Sequence, residues 1–130
     1  MNTVMRWLLV SVMVTVSAPA FAVEAMQMFK CEQEDEATEA DLMAVAKEWL
    51  TAARKMKGGE KLEVSLYFPL AVNIAGENDF LFMVSAPSVE QWGQFWDGYR
   101  GSPASKVDQG MDSKAVCPDS ALWEVQKVKP

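Results

Sequence analysis

The sequence predicts a small α+β domain: an antiparallel four-stranded sheet with two helices on one face, in the order βαββαβ. Three observations carry this. Two stretches repeat apolar residues at helical three- and four-residue steps. "KLEVSLYFP" and "DFLFMVS" have the alternation or the β-rich composition of strands. The two cysteines, Cys31 and Cys117, fall near the end of the first strand and the start of the last, which are neighbours in such a sheet.

The domain is preceded by a leader. Residues 1–22 carry one positive charge, Arg6, then an apolar run from Trp7 to Val16, and end in Ala20-Phe21-Ala22. Small residues at those two positions are what a signal peptidase reads, so the segment reads as a secretory signal peptide. Its apolar run is about half the roughly 20 residues of a membrane-spanning helix. Ala18-Pro19-Ala20 offers a second cleavage site. Residues 23–130 then form one domain, an adequate size for a single core. No second run is long enough to span a bilayer, so no membrane association is expected after cleavage.

In order, "AMQMFKC" (25–31) is the first strand, and "EQEDEATEAD" a solvated acidic loop leading into a helix. Thr38 caps that helix, with Asp41 in the capping-box position. Leu42, Val45, Ala46, Trp49, Leu50, Ala53 and Met56 form its apolar stripe, and Gly58-Gly59 stops it. In the second strand Leu62, Val64, Leu66 and Phe68 point one way, and Glu63, Ser65 and Tyr67 the other. "AGEND" is a turn. The third strand is apolar on both faces: Phe80, Phe82 and Val84 share one, Leu81 and Met83 the other.

Ser88 caps the second helix, "VEQWGQFWDGYRG". Val89, Trp92, Trp96 and Tyr99 form its predicted core stripe, with Phe95 at the border. The helix is expected to end near Gly101-Ser102-Pro103, with "ASKVDQGM" able to add a turn. "DSKAVCPDS" reads as loop and "ALWEVQKV" as the last strand, with Trp123, like Trp49, at a core position.

This order is the ferredoxin-like plan. Export makes a Cys31–Cys117 disulfide the expected state. The alternative, a lipid anchor at Cys31, is opposed by the large or charged residues Met28-Phe29-Lys30 before it. The face of the sheet away from the helices carries Leu81 and Met83, Tyr67 beside them, and Met26 and Met28 or Phe29. That face is greasy enough to predict a homodimer formed through it.

Charge and composition exclude several functions. The chain carries −6, and its one basic leader residue leaves the domain at −7, a poor surface for nucleic acid or anionic lipid. There is no histidine, hence no Ser-His-Asp or Cys-His site, and the usual transition-metal ligand is missing. Neither common phosphate-cradling glycine motif occurs. Glu63 and Glu124 sit on outer strands, too far apart for paired acid–base work. No catalytic residue, metal or cofactor is assigned. Tyr67, Asn73, Asn78 and Trp92 are the residues able to line a cavity and orient a small aromatic ligand. Asn78 has a structural reading too, as a turn residue. Gly93 lies on the same helix face as Trp92 and Trp96, where the missing side chain leaves room for a backbone or ligand. The candidate pocket is therefore Tyr67, Asn73, Trp92, Gly93 and Trp96.

The element order and "APSVEQWGQFWDGYRGSPA" together resemble the dimeric α/β-barrel superfamily, which contains antibiotic-biosynthesis-type monooxygenases and small stress-related proteins. The resemblance covers most of the domain in outline, and its specific motif spans some 20 residues. It implies paired sheets and a cavity between sheet and helices. Members that degrade haem or oxidise without a cofactor use Asn, Trp and His there, and this chain has no His. The reading expected is a periplasmic or secreted, non-catalytic binding or stress-related module. The alternatives are a cofactor-independent oxygenase or isomerase of a small aromatic molecule, and an envelope subunit that docks another protein on its open sheet face.

Overall fold

A computed structural model describes residues 23–71 and 78–130. The expected leader, Asn73 and part of the predicted "AGEND" turn lie outside the described residues. The elements are β1 (Glu24–Gln33), α1 (Glu39–Ala53), β2 (Glu63–Tyr67), β3 (Asp79–Ala86), α2 (Val89–Asp97), α3 (Pro103–Met111) and β4 (Ala115–Val125). The strands form one sheet in the order β2-β3-β1-β4, every pair antiparallel. This is the ferredoxin-like plan with one helix more than the two expected. "SPASKVDQGM" is a helix of its own, started by Ser102, whose hydroxyl accepts from the Ser105 amide, with Pro103 in the first turn.

The other caps form as the sequence predicts. The Thr38 hydroxyl accepts from the Asp41 amide, and the Asp41 carboxylate accepts from the Thr38 amide in return. Ser88 accepts from the Gln91 amide at the start of α2.

The last strand begins earlier than predicted. Pairing with β1 starts at Ala115, so Cys117 lies inside β4 rather than in a loop before it. Two features of "AVCPDS" hide this in the sequence. Pro118 donates no hydrogen bond, which an edge strand tolerates. The register also shifts, from Lys30 opposite Asp119 to Glu32 opposite Val116, so β4 carries one extra residue at a bulge. The bulge lies beside the bond that joins Cys31 to Cys117.

The alternating register sorts the sheet into two faces. Ala25, Phe29 and Cys31 of β1, Val64 and Leu66 of β2, and Phe80, Phe82, Val84 and Ala86 of β3 face the helices. From above, Leu42, Ala46, Trp49 and Ala53 of α1 and Trp92 and Phe95 of α2 close the core. The core face of α2 differs from prediction. Phe95 is fully buried, whereas Trp96 is 49 % and Val89 48 % exposed. The helix is rolled so that Trp92 and Phe95 lead into the core. Val89 and Trp96, seven residues apart and so on one line along the helix, lie at its edge.

The opposite face holds Met26 and Met28, Tyr67, and Leu81 and Met83. It also holds Trp123, which pairs with Met26. Trp123 is therefore no core residue. Its register position turns it to the open face, where it is 53 % exposed.

The two glycines after α1 do more than stop it. Gly58 has φ +82°, and a Cβ there would lie 2.5 Å from the Gln91 carbonyl oxygen and 2.6 Å from the Phe95 nitrogen. The turn thus presses its backbone directly on α2, an approach that only glycine permits.

Candidate functional site

A cavity of about 70 Å³ lies between the sheet and the helices. Phe29 and Phe82 rise from the sheet, Trp49 comes from α1, Trp96 and Tyr99 from α2 and the turn after it, and Asp108 and Met111 from α3. Cys117 completes the lining on the β4 side. Each position follows from its element. Phe29 and Phe82 are register partners on the helix-covered face. Trp49 lies on the buried stripe of α1. Ala104, Asp108 and Met111 fall at four- and three-residue steps on one face of α3.

The walls are mainly aromatic. The Trp49 and Phe82 rings meet edge to face at 88°, with centroids 5.7 Å apart. Trp96 stacks on Tyr99 at 4.7 Å and on Trp92 at 5.4 Å, which makes a column of rings along one side of α2. Trp96 is the exposed member of the lining, so it stands at the mouth.

One polar chain crosses this apolar wall. The Trp49 indole Nε1–H donates to the Tyr99 hydroxyl over 3.0 Å, and that hydroxyl donates to Asp108 Oδ2 over 3.0 Å. Burial pushes the Tyr99 phenol well above its ordinary range; the Trp49 hydrogen bond opposes this and the Asp108 charge reinforces it. Tyr99 is therefore held protonated, as a donor. Burial also raises the Asp108 carboxyl, the Tyr99 hydrogen bond counters it, and Asp112 adds to the rise. Asp108 forms no salt bridge among the described residues.

The residues singled out in the sequence are not gathered here as a group. Trp96 lines the cavity. Trp92 is buried next to it in the ring column. Tyr67 is on the opposite face of the sheet, 53 % exposed. Gly93 is exposed, and a Cβ built on it would meet nothing within 4 Å. Asn78 is exposed, and its carbonyl accepts from the Gln33 amide. Sequence reasoning treated Tyr99 only as core and passed over Asp108. The available signal was a carboxylate on the apolar stripe Ala104–Asp108–Met111, visible only once that stretch is read as a helix. Among the described residues no group of three or more His, Cys, Asp or Glu side chains is placed to hold a metal ion, and no helix is long and apolar enough to cross a membrane.

No family model matches the chain, and no curated protein does. Solved structures do. The chain is similar to SnoaB, a cofactor-independent oxygenase from Streptomyces nogalater, with a TM-score of 0.56 and 8 % identity over 84 % of this chain and 99 % of that one. It is similar to the hydroxynitrile lyase from Passiflora edulis, with a TM-score of 0.56 and 9 % identity over 85 % and 99 %. A conserved protein of unknown function from Bacteroides thetaiotaomicron, described as a possible oxidoreductase, gives 0.53 and 10 % over 79 % and 98 %. At such identities the likeness is one of fold alone.

Proposed function

We propose that this chain is an exported, non-catalytic binding module that takes a small guest into the cavity beside Tyr99. The observation that carries this is the Trp49–Tyr99–Asp108 hydrogen-bond chain set in an otherwise apolar wall. Ligand sites combine an apolar lining with a few fixed polar groups in this way. The lining argues for binding over chemistry, since its two proton-bearing groups, Tyr99 and Asp108, are already bonded to each other. Size argues against a flat aromatic substrate. A cavity of about 150 Å³ holds a benzene ring, and this one is about 70 Å³.

The disulfide fits export to a periplasmic or extracellular space, and the open face supports a homodimer. Its methionines, Leu81, Tyr67 and Trp123 make one apolar surface that a second copy would cover.

Nuclear magnetic resonance of the tryptophan indole N–H groups tests the binding reading. Fragments of a few heavy atoms are expected to shift the Trp49 and Trp96 signals and leave Trp123 in place. If no fragment moves Trp49 or Trp96 at millimolar concentration, the binding reading falls.

A further inference from the structure

We propose that the guest is a compact organic cation, the ammonium head of an alkylamine, with its alkyl chain leaving past Trp96. This rests on the binding reading above and assigns the ligand class.

Four observations converge on a cation. Five of the lining residues are aromatic: Phe29, Trp49, Phe82, Trp96 and Tyr99. Aromatic faces carry negative potential and attract ammonium groups within about 6 Å of the ring centre. The one carboxylate of the lining is Asp108, and no Lys or Arg joins it there. Its Oδ2 is taken by Tyr99, whereas Oδ1 makes no hydrogen bond among the described residues. The Tyr99 hydroxyl already accepts from Trp49 and donates to Asp108, so the polar atom of the lining residues left for a ligand is the second Asp108 oxygen, an acceptor that is open to water. The ligand group that fits an open carboxylate oxygen among aromatic rings is a positively charged donor.

Other guests fit less well. An anion would meet a half-buried carboxylate with no compensating cation. A neutral apolar guest would strip water from Asp108 and give nothing back. The volume, about half of the roughly 150 Å³ that holds a benzene ring, takes the head of an amine and leaves its tail outside. Trp96, the exposed lining residue, is placed for that tail to lie against. The domain's net negative charge favours the approach of a cation.

The test compares three probes of matched length, butylammonium, 1-butanol and butyrate, titrated into the purified protein with the Trp49 and Trp96 indole signals as readout. Butylammonium is expected to bind about tenfold or more tightly than 1-butanol, and butyrate more weakly than either. Asp108→Asn keeps the shape and an acceptor for Tyr99, and is expected to erase most of the preference for butylammonium over 1-butanol. Trp96→Ala, on the surface and tolerable to the fold, is expected to weaken butylammonium several-fold. Equal binding of butylammonium and 1-butanol, or tighter butyrate, overturns the cation assignment and leaves the binding reading standing. If none of the probes moves either indole, the cation assignment falls with it.

Discussion

The disulfide offers the most quantitative prediction. Cys31 and Cys117 are 86 residues apart, so their bond closes most of the domain into one loop. The bond restricts the unfolded chain far more than the folded one, where the two Cα atoms are held 3.9 Å apart across β1 and β4. For that loop the chain-entropy relation gives about 15 cal/mol/K, or about 4.6 kcal/mol near room temperature. That is an upper figure, since residual structure in the unfolded chain reduces it. Against a typical total of about 5–15 kcal/mol it is a large share. The perturbation is the double variant Cys31→Ala/Cys117→Ala, which avoids leaving one free thiol. The assay is urea unfolding followed by tryptophan fluorescence. With a slope of about 1–2 kcal/mol per molar, the midpoint should fall by about 2 M or more. The slope should also rise, because the uncrosslinked chain exposes more surface when it unfolds. A fall under about 0.5 M, with the bond confirmed intact in the parent by mass, would refute the loop-entropy reasoning.

Four further outcomes are expected. Gly58→Ala places a Cβ against backbone atoms of α2 at a positive φ, and should cost about 2–4 kcal/mol in thermal or urea unfolding, of which the left-handed backbone alone is about 1–2. Gly93→Ala is its opposite: the new methyl meets nothing within 4 Å, so the gain in helix propensity should stabilise by up to about 1 kcal/mol, and a loss there would show an unseen contact. Asp108→Asn tests the burial of its charge. The folded pKa is raised, so the native state holds its proton more tightly than the unfolded chain, and stability falls as pH rises from the unfolded value near 3.8 through the folded one. The melting temperature of Asp108→Asn should therefore gain on the parent between pH 4 and pH 7, modestly because the group is half exposed; the reverse trend would sink the assignment. If the open face forms the homodimer proposed above, Trp123→Glu should shift the sedimentation from dimer to monomer and make the melting temperature independent of protein concentration; a dimer that survives the substitution would exclude the open face as the interface.

Much of the architecture was legible because it rests on local rules. Strict alternation in "KLEVSLY" fixes which side chains of β2 face the helices, and Thr38 with Asp41 marks the start of α1 before any packing is known. The cysteine pairing follows once β1 and β4 are neighbours. The misses have one cause in common, namely that tertiary geometry decided between local options. Pro118 and a bulge disguised the first half of β4, since a proline and an irregular period read as loop. The roll of α2 turned on a choice among four rings with only small angular differences, and Gly58 pressing on Gln91 and Phe95 is a contact the chain cannot announce. The cavity was legible in the sequence only at Trp96, for the same reason. Tyr99, Asp108 and Trp49 come from three elements, and only Asp108, on its apolar stripe, left a trace in the sequence.

The bond between the first and last strands also governs how the domain answers a pull on its two ends. Tension applied there can peel away the parts of β1 and β4 that lie outside Cys31 and Cys117, and it then reaches a covalent stop. The helices, β2 and β3 lie between the two cysteines in the chain, whereas Phe29 of the cavity wall lies outside them, on the part of β1 that the pull reaches. A pull on the ends therefore withdraws Phe29 from beside Phe82 before the bond takes the load, so strain would loosen the cavity wall while the elements inside the loop stay joined.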